Sequence, residues 1–87
     1  MAKKKIETKP HFLIELYGWY GAVAIVAAYG LISFEIIKPE DLVYQLLNLS
    51  GSVGILLASL QKKDYQPVLL NTFWILIAVG ALATILF

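Results

Sequence analysis

The chain has 87 residues, 60% of them hydrophobic and 15% charged. So small a soluble domain has too little interior to hide that much apolar surface, so composition points to a membrane protein and away from a soluble globular fold. The net charge is only +1 and there is no cysteine, which excludes disulfides, thiol chemistry and cysteine-held metal and leaves the redox compartment open.

The expected elements follow in chain order. Residues 1–11 read as a short tail carrying Lys3, Lys4, Lys5 and Lys9, and residues 12–87 as one membrane domain. A bilayer core about 30 Å thick needs roughly 20 apolar residues as helix. Three segments meet this requirement, at about residues 16–37, 42–60 and 67–87, so the fold class is all-α and polytopic, with three transmembrane helices. A cleaved leader is the rival reading of the first span. Its length, Glu15, the aromatics Tyr17, Trp19 and Tyr20, and the want of a small-residue cleavage site oppose it. Lys38-Pro39-Glu40-Asp41 is expected to join the first pair, with Pro39 ending one helix and Asp41 capping the next. Residues 61–66 join the second pair, and Pro67 suits the first turn of the third helix.

Six of the seven lysines fall in the tail or in the second loop, where Lys62 and Lys63 lie. Apolar helices flank both clusters, so they read as orientation signals and not as a nucleic-acid surface. The positive-inside bias puts the N-terminus and second loop in the cytoplasm and the C-terminus outside. Tyr17, Trp19 and Tyr20 then fit an aromatic belt at the inner end of the first span, and Tyr65 one at the start of the third.

The second span, YQLLNLSGSVGILLASL, carries polar residues that hydrocarbon does not tolerate alone. At about 100° per residue, Gln45, Asn48, Ser52 and Ser59 fall in one stripe. Ser50, Gly54 and Ala58 share another face, with Gly51 at its margin. In the first span Gly21, Ala24 and Ala28 form a small-residue face bordered by Gly18, and Tyr29 with Ser33 lies elsewhere. In the third, Asn71, Trp74, Ala78 and Ala81 share a side. Small faces let helix backbones approach, and the polar stripe has to meet protein or trapped water. We expect a tight three-helix bundle or a larger oligomer, a homodimer above all, with Asn48 and Asn71 directed inward. The helix-packing residues are Gly21, Ala24, Ala28, Gly51, Gly54 and Ala58. The candidate polar path is Gln45, Asn48, Ser52, Asn71 and Trp74, although the plainer role of the two asparagines is to hydrogen-bond helices together, and that of Trp74 is packing or an interfacial place. Glu15 is expected to meet a lysine or water, Glu35 to reach solvent at the outer boundary, and His11 to do nothing specific. With one histidine, no cysteine, no phosphate loop and no paired intramembrane carboxylates, no catalytic, cofactor or metal site is expected.

The order YQLLNLSG followed by KKDYQPVLLNTFW, with GWYGA in the first span, resembles a family of small three-helix bacterial membrane proteins, mostly uncharacterised and sometimes labelled permease-like. The resemblance runs from about Tyr17 to Ala81 and implies a three-span topology in the bacterial inner membrane. A more distant likeness is to the half-transporters of sugars called SemiSWEETs, in the PQ-loop group. Their third helix carries an asparagine soon after a proline, as Pro67 and Asn71 stand here, and by that likeness Asn71 and Trp74 would line a pocket. The first span lacks the group's Pro-Gln pair. The short first loop also favours packing the first helix beside the second, where the group places the third between them.

Two functions are therefore expected to compete: a permease-like half unit for a small polar solute, and a structural or accessory protein that packs with itself or with a larger membrane partner. The expected topology is checked by single cysteines. Those placed at Lys4 and Lys62 should be labelled only from the cytoplasm and one at Glu40 only from outside, and labelling of Glu40→Cys from within would reverse it.

Overall fold

A computed structural model describes residues 9–87; Lys3, Lys4 and Lys5 of the expected tail lie outside the described residues. Three helices make up the fold: α1 (Lys9–Ser33), α2 (Leu42–Gln61) and α3 (Tyr65–Leu86), with no strand among the described residues. Each is long and apolar enough to cross a membrane. The longest dimension of the molecule is 47 Å.

The helix ends differ from expectation in one place. α1 begins at Lys9 and closes at Ser33, so the first span is shifted toward the N-terminus, and the first connection is Phe34–Asp41 instead of four residues. The stop is a left-handed cap. Glu35 adopts φ 61°, its amide donates to the Ile32 carbonyl at 3.1 Å, and the Ile36 amide donates to the Leu31 carbonyl at 2.9 Å. These bonds satisfy carbonyls that the helix end would leave bare, and they act before Pro39 is reached. α2 ends the same way: Lys63 has φ 58°, its amide donates to Leu60 and that of Asp64 to Ser59. Asp41 holds the N-cap position of α2 in extended conformation but makes no side-chain cap bond. Its carboxylate accepts from the Lys38 amide at 3.0 Å instead. Pro67 falls at the third position of α3, where the missing N–H would have had no helical partner.

α2 packs against both α1 and α3, and α1 and α3 do not pack against each other. The expected closed bundle is thus replaced by a row with α2 in the middle. The reason lies in α2. Its small face (Gly51, Gly54, Ala58) and its polar stripe (Gln45, Asn48, Ser52, Ser59) are centred about 120° apart round the helix, so two neighbours seated on them stand apart.

The α1–α2 seam depends on missing side chains. A methyl group on Gly21 would fall inside the carbonyl oxygen of Gly51, and one on Gly51 would lie 2.9 Å from the carbonyl oxygen of Gly21. Each glycine thus presents its Cα hydrogens to the other's carbonyl, a contact worth about 0.5–1 kcal/mol. One turn away a methyl on Gly54 would lie 2.5 Å from the Tyr17 carbonyl oxygen, and one on Gly18 2.6 Å from the Ala58 Cβ. Ala24 and Ala28 are buried on the same side. Gly51 is therefore central to the face where it was expected at the margin, and Ser50 is the flanking residue. In lipid, where hydrocarbon competes for every apolar contact, close backbone packing of this kind is the main attraction between helices.

Gly21→Ala and Gly54→Ala should each destabilise the protein by about 1–3 kcal/mol, since backbone atoms cannot step aside for the methyl. Gly80→Ala, where nothing lies within 4 Å of the added carbon, should be neutral or stabilising by up to about 1 kcal/mol. Thermal unfolding in mild detergent measures all three, and equal losses would refute the seam.

Candidate functional site

The aromatic and polar side chains of α1 gather on α2. Tyr17 lies against Gly54, and its ring stacks on that of Tyr20, centroids 5.9 Å apart. The Tyr20 hydroxyl pairs with the Ser50 hydroxyl at 2.8 Å, and Ser50 also donates back to the Leu47 carbonyl at 3.3 Å. Tyr17 and Tyr20 lie two and five residues beyond Glu15, which pairs with Lys62 just past the end of α2. The two rings thus join α1 to α2, where a hydroxyl needs a partner because lipid offers none.

On the other side of α2 the polar stripe is covered. Gln45, Asn48 and Ser59 are buried, and Ser52 is 0% exposed. α3 turns Asn71 and Ala78 inward, Ala78 also at 0%. Trp74, a sixth of a turn round from Asn71, is 42% exposed and flanks the seam without entering it. Much of the polarity is satisfied within a few residues. Gln45 Nε2 donates to the Pro39 carbonyl at 2.8 Å, tying the first loop to α2. Asn71 Nδ2 donates to the Pro67 carbonyl at 2.9 Å, one turn back in its own helix. The Ser52 hydroxyl has no partner among the described residues. The two asparagines do not face one another. Counted from the α2–α3 turn, Asn71 stands level with Ile55, and Asn48 sits about 10 Å further along the axis.

A cavity of about 270 Å³ lies elsewhere. It opens between α1 and α2 near the second turn and is lined by Glu15, Gly18, Trp19 and Ala22 from α1, and by Ile55, Ala58, Ser59 and Lys62 from α2, with Asp64 at its end. Lys62 Nζ and Glu15 Oε2 form an ion pair of 2.9 Å across the mouth. Gln61 Nε2 donates to the His11 carbonyl at 3.3 Å beside it, so His11 takes part through its backbone. None of the five residues of the expected polar path lines this cavity. Trp19 and Asp64 were not singled out for it from the sequence. Glu15 and Lys62 were legible in part, since they lie almost equally far from the α1–α2 connection with opposite charge.

A family model of an uncharacterised family matches residues 14–87. The chain belongs to this family. Neither a curated protein nor a solved structure matches the chain. The match spans all three helices, and the likeness to SemiSWEETs gains nothing from it. The helix order adds a physical objection, since α2 and not α3 is the middle helix here.

Gln45→Leu should lower stability by about 1 kcal/mol, because the Pro39 carbonyl loses its donor and the loop its tie to α2. Asn71→Leu should change it by less, because the amide it removes bonds only its own helix. Thermal melts of the two variants in detergent decide this, and a larger loss for Asn71→Leu would mean that the asparagine joins α3 to α2.

Proposed function

We propose that this is a non-enzymatic membrane protein whose role is assembly: a three-helix unit that packs with a second copy, or with a larger membrane partner, along the sides that α1 and α3 leave uncovered. The observation that carries this reading is where two of the buried amides are satisfied. Gln45 and Asn71 spend their amides on carbonyls of their own chain, as joints do and as the lining of a solute path does not. The open row of helices supports it as well, since α1 and α3 do not close on each other and each keeps a large apolar side exposed. A homodimer in the bacterial inner membrane, with the N-terminus and second loop in the cytoplasm, is the form we favour. The lysines beside the α1–α2 mouth support that orientation.

The second reading is a permease-like half unit for a small polar solute. One observation favours it: the hydroxyl of Ser52, on the same stripe as Asn48, is fully buried and has no partner among the described residues, and an unsatisfied polar group is costly unless something else meets it.

Two measurements on the same preparation separate the readings. Counting of photobleaching steps in lipid vesicles should give more than one chain per assembly, and vesicles holding the protein should accumulate no member of a sugar, amino-acid and polyol panel. Uptake that falls by about tenfold or more in Asn48→Leu, at unchanged thermal stability, would replace assembly by transport.

A further inference from the structure

The cavity between α1 and α2 is graded along its length. Charged side chains, Glu15, Lys62 and Asp64, stand at the end nearest the second turn, and Ala22 and Ile55 line the other end. From Glu15 to Ala22 is about 10 Å along the helix axis. The cavity exists because its floor is built of small residues, Gly18, Ala22 and Ala58, and an indole, Trp19, stands beside it, largely exposed. A further polar group lines it. Ser59 is only 7% exposed and borders the cavity, which puts a hydroxyl within reach of an occupant.

We propose that this cavity binds a phosphoamine zwitterion, supplied by the headgroup of an amine-bearing phospholipid. Among the residues that line the cavity, Glu15 and Asp64 provide two carboxylates against the ammonium of Lys62, so the mouth has room for one more cation, and the Trp19 face adds cation–π attraction to it. The phosphate meets Lys62 Nζ and the Ser59 hydroxyl. The upper part of an acyl chain then runs over Ala22 and Ile55, where no polar group opposes it. Orientation favours a lipid over a soluble zwitterion: the cavity opens on the flank of two membrane helices, so its apolar end faces hydrocarbon. This site does not depend on the assembly reading, because a single chain contains all of it.

The test uses the full chain carrying Trp74→Phe, so that Trp19 is the one indole, in vesicles of phosphatidylglycerol containing brominated phosphatidylethanolamine or, separately, brominated phosphatidylglycerol at equal mole fraction. The amine lipid should quench Trp19 at a mole fraction lower by about threefold, as one extra ion-pair contact of this exposure allows. Glu15→Gln, which keeps size and helix, and Ala22→Leu, which fills the apolar end, should each remove the preference while helical circular dichroism is unchanged. Soluble phosphoethanolamine should not restore the fluorescence. Equal quenching by the two lipids, or a preference that survives both substitutions, would overturn the site. Full reversal by millimolar phosphoethanolamine would leave the headgroup chemistry standing and overturn the lipid as its source.

Discussion

The fold rests on one contact, the paired approach of Gly21 and Gly51, where each backbone presses on the other's carbonyl. Hydrocarbon gives helices no hydrophobic reason to associate, so α1 and α2 hold together only as far as their backbones can close in. Everything nearby follows from that separation. Tyr17 reaches across Gly54, Tyr20 reaches Ser50, and Glu15 reaches Lys62, all at distances that a Leu in either glycine position would open. The α1–α2 seam is thus narrow at the glycines and opens toward the second turn, where the cavity lies.

The α2–α3 seam works differently. It has no glycine at the contact and is closed by buried polar residues whose amides serve their own segments. Only the middle helix has two covered sides, and most of the polar stripe lies on it. α3 is exposed around most of its circumference and buries only Asn71 and Ala78. A helix so exposed cannot afford the amides and hydroxyls that α2 carries. The distribution of polar residues among the three helices is therefore a record of which helix is surrounded.

Much of this was legible in sequence, and the reasons for the exceptions are local. Three spans follow from apolar length alone, and the packing roles of Gly21, Ala24, Ala28, Gly54 and Ala58 follow from spacing, because a missing side chain has few uses inside a lipid-facing helix. The end of α1 was not legible. Sequence reasoning looks for Gly at a left-handed cap, and here Glu35 and Lys63 take that conformation, at a cost that L-residues ordinarily avoid. Pro39 was the visible stop signal, yet the helix had already ended. Gly51 was expected at a margin because Ser50, Gly54 and Ala58 recur every four residues, and periodicity cannot rank two small neighbours. The heights of Asn48 and Asn71 depend on the length of the second turn, which the sequence brackets only to a few residues.

The angle left between α1 and α3 is the consequence of greatest interest for function. Two faces of α2 centred about 120° apart can seat two helices without those helices meeting, and the space between them lies over α2 itself. Ser59 belongs to the stripe that α3 covers and also lines the cavity that α1 borders, so the cavity sits within that angle. The angle is thus not uniform. Near the second turn it is charged, open and floored by small residues, whereas along the spans the exposed surface is aliphatic and aromatic. A lipid suits the first environment because it carries both a zwitterion and a chain, and a helix suits the second because it can match a ridge of side chains along its length. An occupant of one kind does not displace the other, which is why a lipid site and a protein-packing surface can coexist on so short a chain.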